Sequence, residues 1–257
     1  MLNHLFQKRD IRTFRPEFLI STKDFDTLRY REEYEQSENQ KKFEDVLFRS
    51  KNKFEYIQNF FAEYSPDFLM LCTKLLKLSF KLPYKQYVDI GTGEGIIPIF
   101  LSLNKTLQIT ATDINAKMME MLQNRFGDET INFAYVNVEE LREKINYNEK
   151  EVVMLNGVEF ALSDSAIRRL ATQAYKAGVL EIWITSNHIF EWNFKPGRGY
   201  FKNLALMIGS PNKFKHGRLI GFYRSKSFLS HLLKKYRLTE RHIEKGDERI
   251  FLRFTRI

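Results

Sequence analysis

With 257 residues, 43% of them hydrophobic and 28% charged, the chain has the composition of a globular protein, large enough for one elaborated α/β domain or two small ones. No apolar run approaches the roughly 20 residues that cross a bilayer, and the amino terminus carries no signal-peptide core, so the cytoplasm is the expected compartment. The single cysteine, Cys72, excludes an internal disulfide and a cysteine-built metal site, while the net charge of +9 turns attention to anionic partners.

Residues 1 to about 35 show no sustained period and read as an irregular arm with short helical pieces. Helical spacing begins at Glu38, with Phe43, Val46, Leu47, Phe54, Ile57, Phe60 and Phe61 on one side. Ser65-Pro66-Asp67 is a helix start: a cap residue, a proline at the first helical position and an acid in the first turn. The helix it opens carries Phe68, Leu69, Leu71, Leu75 and Leu78 and ends before Pro83. Residues 1–84 are therefore expected to form a helical extension or cap.

From there the pattern alternates. Strand 86–90 leads to helix 95–103, and strand 107–112 to helix 115–126, which Gly127 stops. Strand 131–136 precedes a short helix near 138–145; strand 151–156 precedes helix 164–177, capped by Ser163 and closed by Gly178; strand 180–186 follows. Such alternation means a parallel sheet with helices on both faces. The pattern breaks after Asn187: residues 188–223 hold Pro196, Pro211, five glycines and eight aromatics with no clear period. A helix over 226–236 comes next, and the runs Arg237–Glu244 and Glu248–Ile257 flank Lys245-Gly246-Asp247 as a hairpin.

Within this frame Val88 to Gly95 reads V-D-I-G-T-G-E-G. A strand that turns into a helix through alternating glycines brings backbone N–H groups close to a ligand. Asp113 lies 18 residues beyond Gly95 at the end of the next strand, where a carboxylate can accept hydrogen bonds from both hydroxyls of a ribose. The pair predicts a nucleoside-bearing cofactor. Dinucleotide enzymes require G-x-G-x-x-G, and here the third glycine position is Ile96, so NAD and FAD do not fit.

The loop, the downstream acid, the alternation and the terminal hairpin together resemble the class I S-adenosylmethionine (SAM)-dependent methyltransferases, over residues 86–187 and more loosely 225–257. The resemblance implies a Rossmann-like, doubly wound, mostly parallel seven-stranded sheet whose last strand inserts antiparallel beside the parallel set. The methyltransferase domain would then span 85–257, with the irregular insertion at about 188–223. It also implies a site. Gly91, Thr92, Gly93 and Gly95 would pass close to the methionine portion of SAM, and Asp89 would hold its amino group. Asp113 would take the ribose hydroxyls, Ile114 would pack on the adenine, and Asn137 and Val138 would meet the adenine edge. Asn156 and Gly157 would line the place where the methyl group is presented. No metal is expected.

The acceptor is less determined. The fourth parallel strand runs into Met154-Leu155-Asn156-Gly157-Val158-Glu159-Phe160, which lacks the N/D-P-P-aromatic tetrad of adenine-amine methylation. Cys72 lies upstream of the cofactor frame, which argues against cysteine attack on cytosine, and no Asp/Asn cluster of the metal-dependent catechol type is present. Glu159 is one candidate base or acceptor-orienting carboxylate; a helix-entry charge is its bland alternative. His188, just past the fifth strand with Asn187 and Glu191 nearby, is the other, against an ordinary loop histidine. His216 in the insertion is a weaker competitor.

The insertion interleaves Trp192, Tyr200, Phe214 and other aromatics with Lys195, Arg198 and Arg218, a mixture suited to covering an anionic substrate or to forming a small satellite core. The expected activity is methyl transfer to a small or medium-sized acceptor, such as a sugar, glycan precursor or other anionic metabolite. From Lys195 to Ile257 there are 16 Lys/Arg against 4 Asp/Glu, which keeps RNA methylation open. A non-catalytic subunit with the same fold is the third reading.

Overall fold

The computed structural model describes residues 13–14, 38–63, 68–136, 147–159, 162, 164–186, 189–190, 223–243 and 250–257. Strand β1 (Thr13–Phe14) is followed by helices α1 (Glu38–Arg49), α2 (Lys53–Glu63) and α3 (Phe68–Lys81). The alternating part comprises β2 (Gln86–Ile90), α4 (Ile96–Leu101), β3 (Gln108–Asp113), α5 (Ala116–Phe126), β4 (Ile131–Tyr135), β5 (Val152–Asn156), α6 (Asp164–Lys176) and β6 (Glu181–Ser186). After β7 (Ile189–Phe190) come β8 (Tyr223–Ser225), α7 (Lys226–Leu232), β9 (Tyr236–Ile243) and β10 (Ile250–Arg256).

Seven strands make one sheet in the order β4-β3-β2-β5-β6-β10-β9. The pairs among β4, β3, β2, β5 and β6 are parallel, and β10 lies antiparallel between β6 and β9, as the terminal hairpin anticipated. The central strands are buried at nearly every position because both faces are covered. Alternate residues divide between two cores. Tyr87, Val152, Met154, Trp183 and Phe251 join the cluster that contains α1 to α5. Val88, Val153, Leu155, Ile182, Ile184, Leu252 and Phe254 join the one that contains α6 and α7. On α6 the buried set Ala166, Ile167, Leu170, Ala171 and Ala174 falls on one helical stripe.

The N-terminal helices are part of the first core rather than an appendage to it. Tyr56 packs on Phe43 and Phe126, with centroids 6.2 and 4.9 Å away, and Phe61 meets Phe100 of α4 edge-on at 6.0 Å. Each such aromatic contact is worth roughly 0.5–1.5 kcal/mol beyond the area it buries. Arg125 of α5 donates to the carbonyls of Ser50 and Phe48, tying the end of α1 to the alternating part.

Several expectations are corrected. Phe54, placed on one side with the buried Phe43, Val46 and Phe60, is 71% exposed. The cause at Phe54 is a restart of the helix: the side chain of Asn52 accepts from Glu55 N–H and its carbonyl accepts from Tyr56 N–H. The new register turns Tyr56, Phe60 and Phe61 inward and Phe54 outward. Helix α7 ends at Leu232 instead of continuing to 236, because Tyr236 N–H closes a turn on Leu233 and the ring is buried with its hydroxyl on the Val179 carbonyl, 3.1 Å away. The arm, read as irregular with helical pieces, contributes β1, which pairs antiparallel with β8; β8 in turn pairs parallel with β7. The loop closing the β9–β10 hairpin, Ser163 and the predicted 138–145 helix lie outside the described residues.

Candidate active site

The carboxyl ends of β2, β3 and β5 carry those predicted residues that the structure describes. After β2 the backbone turns through Gly91, Gly93 and Gly95, with φ of +67°, +53° and +69°. The turn is pinned from within: Thr92 N–H donates to the Thr112 carbonyl at 2.9 Å, and Gly95 N–H to the Thr92 carbonyl at 3.0 Å. Gly91 and Gly93 answer to different constraints. A methyl group on Gly91 would collide with Val158, whereas one on Gly93 would meet nothing within 4 Å. Gly157, after β5, likewise faces open space within 4 Å, at φ +71°. The space beside Gly93 and Gly157 is where a ligand can approach the backbone.

Asp113 ends β3. Its Oδ2 accepts from Gly93 N–H at 2.9 Å and its Oδ1 from Asn115 N–H at 3.0 Å. These two backbone bonds fix the orientation of the carboxylate at the strand end. Asn115 then caps α5, accepting from Met118 N–H at 3.0 Å. Ile114, between the two, is half-buried.

Asp89 is fully buried, near the end of β2. Thr92 Oγ1 donates to its Oδ2 at 2.7 Å and Asn156 Nδ2 to its Oδ1 at 2.8 Å. Thr112 Oγ1 donates to its backbone carbonyl at 3.0 Å. Burial pushes the carboxyl pKa up to about 7; the Thr92 and Asn156 hydrogen bonds pull the other way, and the neighbouring Asp113 charge adds to the rise. A carboxyl so raised changes charge near neutrality.

The structure therefore brings together Asp89, Gly91, Thr92, Gly93, Gly95, Asp113, Ile114, Asn156 and Gly157 along one edge of the sheet. Glu159, two residues past Gly157, is buried rather than displayed as a surface charge at a helix entry. Asn137, Val138, His188 and the insertion from 191 to 222 lie outside the described residues. Two further residues belong to this neighbourhood. Tyr56 of α2 donates its hydroxyl to the Glu94 carbonyl in the glycine loop at 2.6 Å. Thr185 of β6 donates to Asn156 Oδ1 at 3.0 Å. Neither carries a local motif; only the strand order β2-β5-β6 and the packing of α2 bring them in. Among the described residues no helix is long and apolar enough to cross a membrane, and no three His, Cys, Asp or Glu are grouped to hold a metal ion.

Neither a protein-family model nor a curated protein sequence matches the chain. Solved structures do. Human N-acetylserotonin methyltransferase in complex with SAM is similar with a TM-score of 0.51 and 15% identity, over 83% of this chain and 65% of that one. The mitomycin 7-O-methyltransferase MmcR gives 0.54 and 15%, over 84% and 67%. Magnesium protoporphyrin IX methyltransferase ChlM from Synechocystis, with bound S-adenosylhomocysteine (SAH), gives 0.51 and 12%, over 73% and 82%. The chain spans less than two thirds of the human protein's length. Its fold is that of the class I SAM-dependent methyltransferases.

Proposed function

We propose that this chain is a SAM-dependent methyltransferase acting on a small-molecule acceptor. The observation that carries the reading is the cradle at the carboxyl edge. The left-handed Gly93 borders open space, and its N–H is bonded to Asp113, the acid we assign to a ribose. The residues fit the cofactor by chemistry as well as by position. Asp113 would hold the ribose hydroxyls and Ile114 one face of the adenine. Gly93 and Gly157 leave room for the backbone to approach, and Asp89 gives a buried carboxyl for the cationic amino group. When bound, SAM supplies an electrophilic methyl group. What remains for the protein is to orient the acceptor in line with it, to keep water out, and to accept a proton where the acceptor is a hydroxyl. Glu159, buried beyond β5, and His188, beyond β6, are the proposed bases.

The similar structures include one named as an O-methyltransferase of mitomycin, which favours a small hydroxyl-bearing acceptor over a macromolecule. A sugar or another anionic metabolite is the finer proposal, resting on the cations of the insertion. The test is transfer of labelled methyl from SAM to a panel of phenols, sugars, phosphorylated metabolites and total RNA. Label in a small acceptor, lost in Glu159→Gln or His188→Ala, is expected. Label confined to RNA, with binding that weakens steeply as salt rises, would overturn the small-acceptor reading.

A further inference from the structure

The last quarter of the sequence is rich in cations, and several of them gather at the amino edge of the sheet, away from the glycine loop. Strand β10 runs antiparallel to β6, so Thr255 stands opposite Glu181 at the start of β6. On its other side β10 pairs Thr255 with Arg237 and Arg256 with Tyr236 of β9. Tyr175, in the last turn of α6, draws the group together. Lys235 Nζ lies 5.2 Å from its ring centroid and the Arg256 guanidinium carbon 4.3 Å. Lys176 follows Tyr175, and Lys234 precedes Lys235. Lys176, Lys234, Lys235 and Arg237 are exposed, and Arg256 is half-buried.

Among the described residues none of these five cations is ion-paired. Elsewhere Arg49, Lys53 and Lys117 each have an acid, respectively Glu63, Asp128 and Glu44. Like charges gathered without an acid repel one another, and a bound polyanion relieves that repulsion. Helix C-termini attract cations, which accounts for Lys176 at the end of α6 and Lys234 beyond the end of α7. Arg237 and Arg256 stand on strands, where no such dipole acts.

The surroundings select the kind of polyanion. A protein interface is built around an apolar or aromatic centre, and a membrane surface needs apolar anchors beside the cations. Here the Tyr175 ring is flanked by cations, and the exposed Phe48, Phe54, Met70 and Phe80 belong to α1, α2 and α3, which cover the other face. Ile257 is the one large exposed hydrophobic beside the cluster among the described residues. No exposed ring is left there to stack on an unpaired base. The cations stand at a helix end, in a turn and on two strand ends, with no helix projecting to enter a DNA groove. Such a surface suits duplex RNA, which is recognised by its shape and its phosphates.

We propose that Lys176, Lys234, Lys235, Arg237 and Arg256 form a docking face for the phosphate backbone of double-stranded RNA, bound without regard to base sequence. It is separate from the cofactor cradle. The six residues of β6, at about 3.3 Å each, set the two sheet edges about 17 Å apart.

The test is binding of a fluorescently labelled RNA duplex of mixed sequence, followed by anisotropy as salt rises. For the wild type the log–log slope against salt should be about −4, from about five phosphates neutralised. Lys234→Glu with Lys235→Glu should weaken binding about tenfold or more and flatten the slope by about two. Lys41→Glu with Lys42→Glu, the same charge change at exposed positions of α1, should weaken it less than about threefold. A duplex of unrelated sequence should bind equally well, and SAH affinity should be the same in all three proteins. Absent or salt-insensitive duplex binding, or equal weakening by the two charge reversals, would overturn the docking face. So would tighter binding of a DNA duplex, of single-stranded RNA or of phosphatidylserine vesicles, or loss of SAH binding together with duplex binding. Wild-type protein that binds the duplex but not SAH would overturn the cofactor reading alone.

Discussion

Gly91 and Gly93 sit two residues apart in one turn and respond to substitution for different reasons. At Gly91 an added methyl runs into Val158, so Gly91→Ala should lower the melting temperature of the unliganded protein through overpacking of about 1–3 kcal/mol. At Gly93 the space is open, and Gly93→Ala carries only the left-handed backbone penalty of about 1 kcal/mol while narrowing the approach to the loop. Thermal melts should therefore rank Gly91→Ala below Gly93→Ala, while SAH affinity should fall in Gly93→Ala; the reverse ranking in the melts would contradict the packing argument. Asp89 adds a pH signature. Its carboxyl is raised from 3.8 to about 7 by burial, so the folded state keeps a proton that the unfolded chain releases. Stability from the neutral acid is complete below 3.8 and is lost as pH rises through that window to about 7. Asp89→Asn has no such loss. Its melting temperature should gain on the wild type between about pH 4 and 7 and run parallel above, and a constant difference across that range would contradict the assignment.

At the scale of elements, helix α2 reaches the glycine loop through the Tyr56 hydroxyl. Tyr56→Phe keeps the buried ring among Phe43, Phe60 and Phe126 and removes only the bond to the Glu94 carbonyl. The expected result is a loss of about 1 kcal/mol in stability together with a few-fold weaker SAH binding; full stability loss without any effect on binding would show that the loop does not depend on α2. At the opposite end of the sheet, β10 is clamped to β6. Glu181, fully buried, accepts from Arg253 Nε and Trp183 Nε1, each at 2.7 Å. Arg253→Met leaves that carboxylate without its cation and should cost about 3–5 kcal/mol in urea unfolding. Such contacts explain what the sequence could and could not disclose. The alternation of β2 to β6 was readable because parallel strands and amphipathic helices impose periods on their residues. The pairing of β1, β8 and β7 was not, since strands of two or three residues carry no period. Phe54 was misplaced because Asn52 restarts the helix, and spacing measured across that cap no longer describes one face.

Across the whole molecule, the two cores on either face of the sheet fix where the strands end, and the strand ends fix the site. Asp89 and Asp113 were identifiable in the sequence because a glycine loop and an acid at set spacing after two strands have a physical purpose. Thr185 was not, because its partner Asn156 lies 29 residues away and becomes a neighbour only when β6 pairs with β5. The candidates His188, Asn137 and Val138 rest on the sequence alone. The claim on which the rest depends is that the carboxyl edge binds a SAM-type cofactor through Asp113. Titration of SAH into the wild type and Asp113→Ala by calorimetry tests it most directly. Binding to the wild type, weakened about tenfold or more in Asp113→Ala by loss of charge-assisted hydrogen bonds, is the predicted result. Absence of binding to folded wild-type protein, or equal affinity in the two proteins, would contradict it.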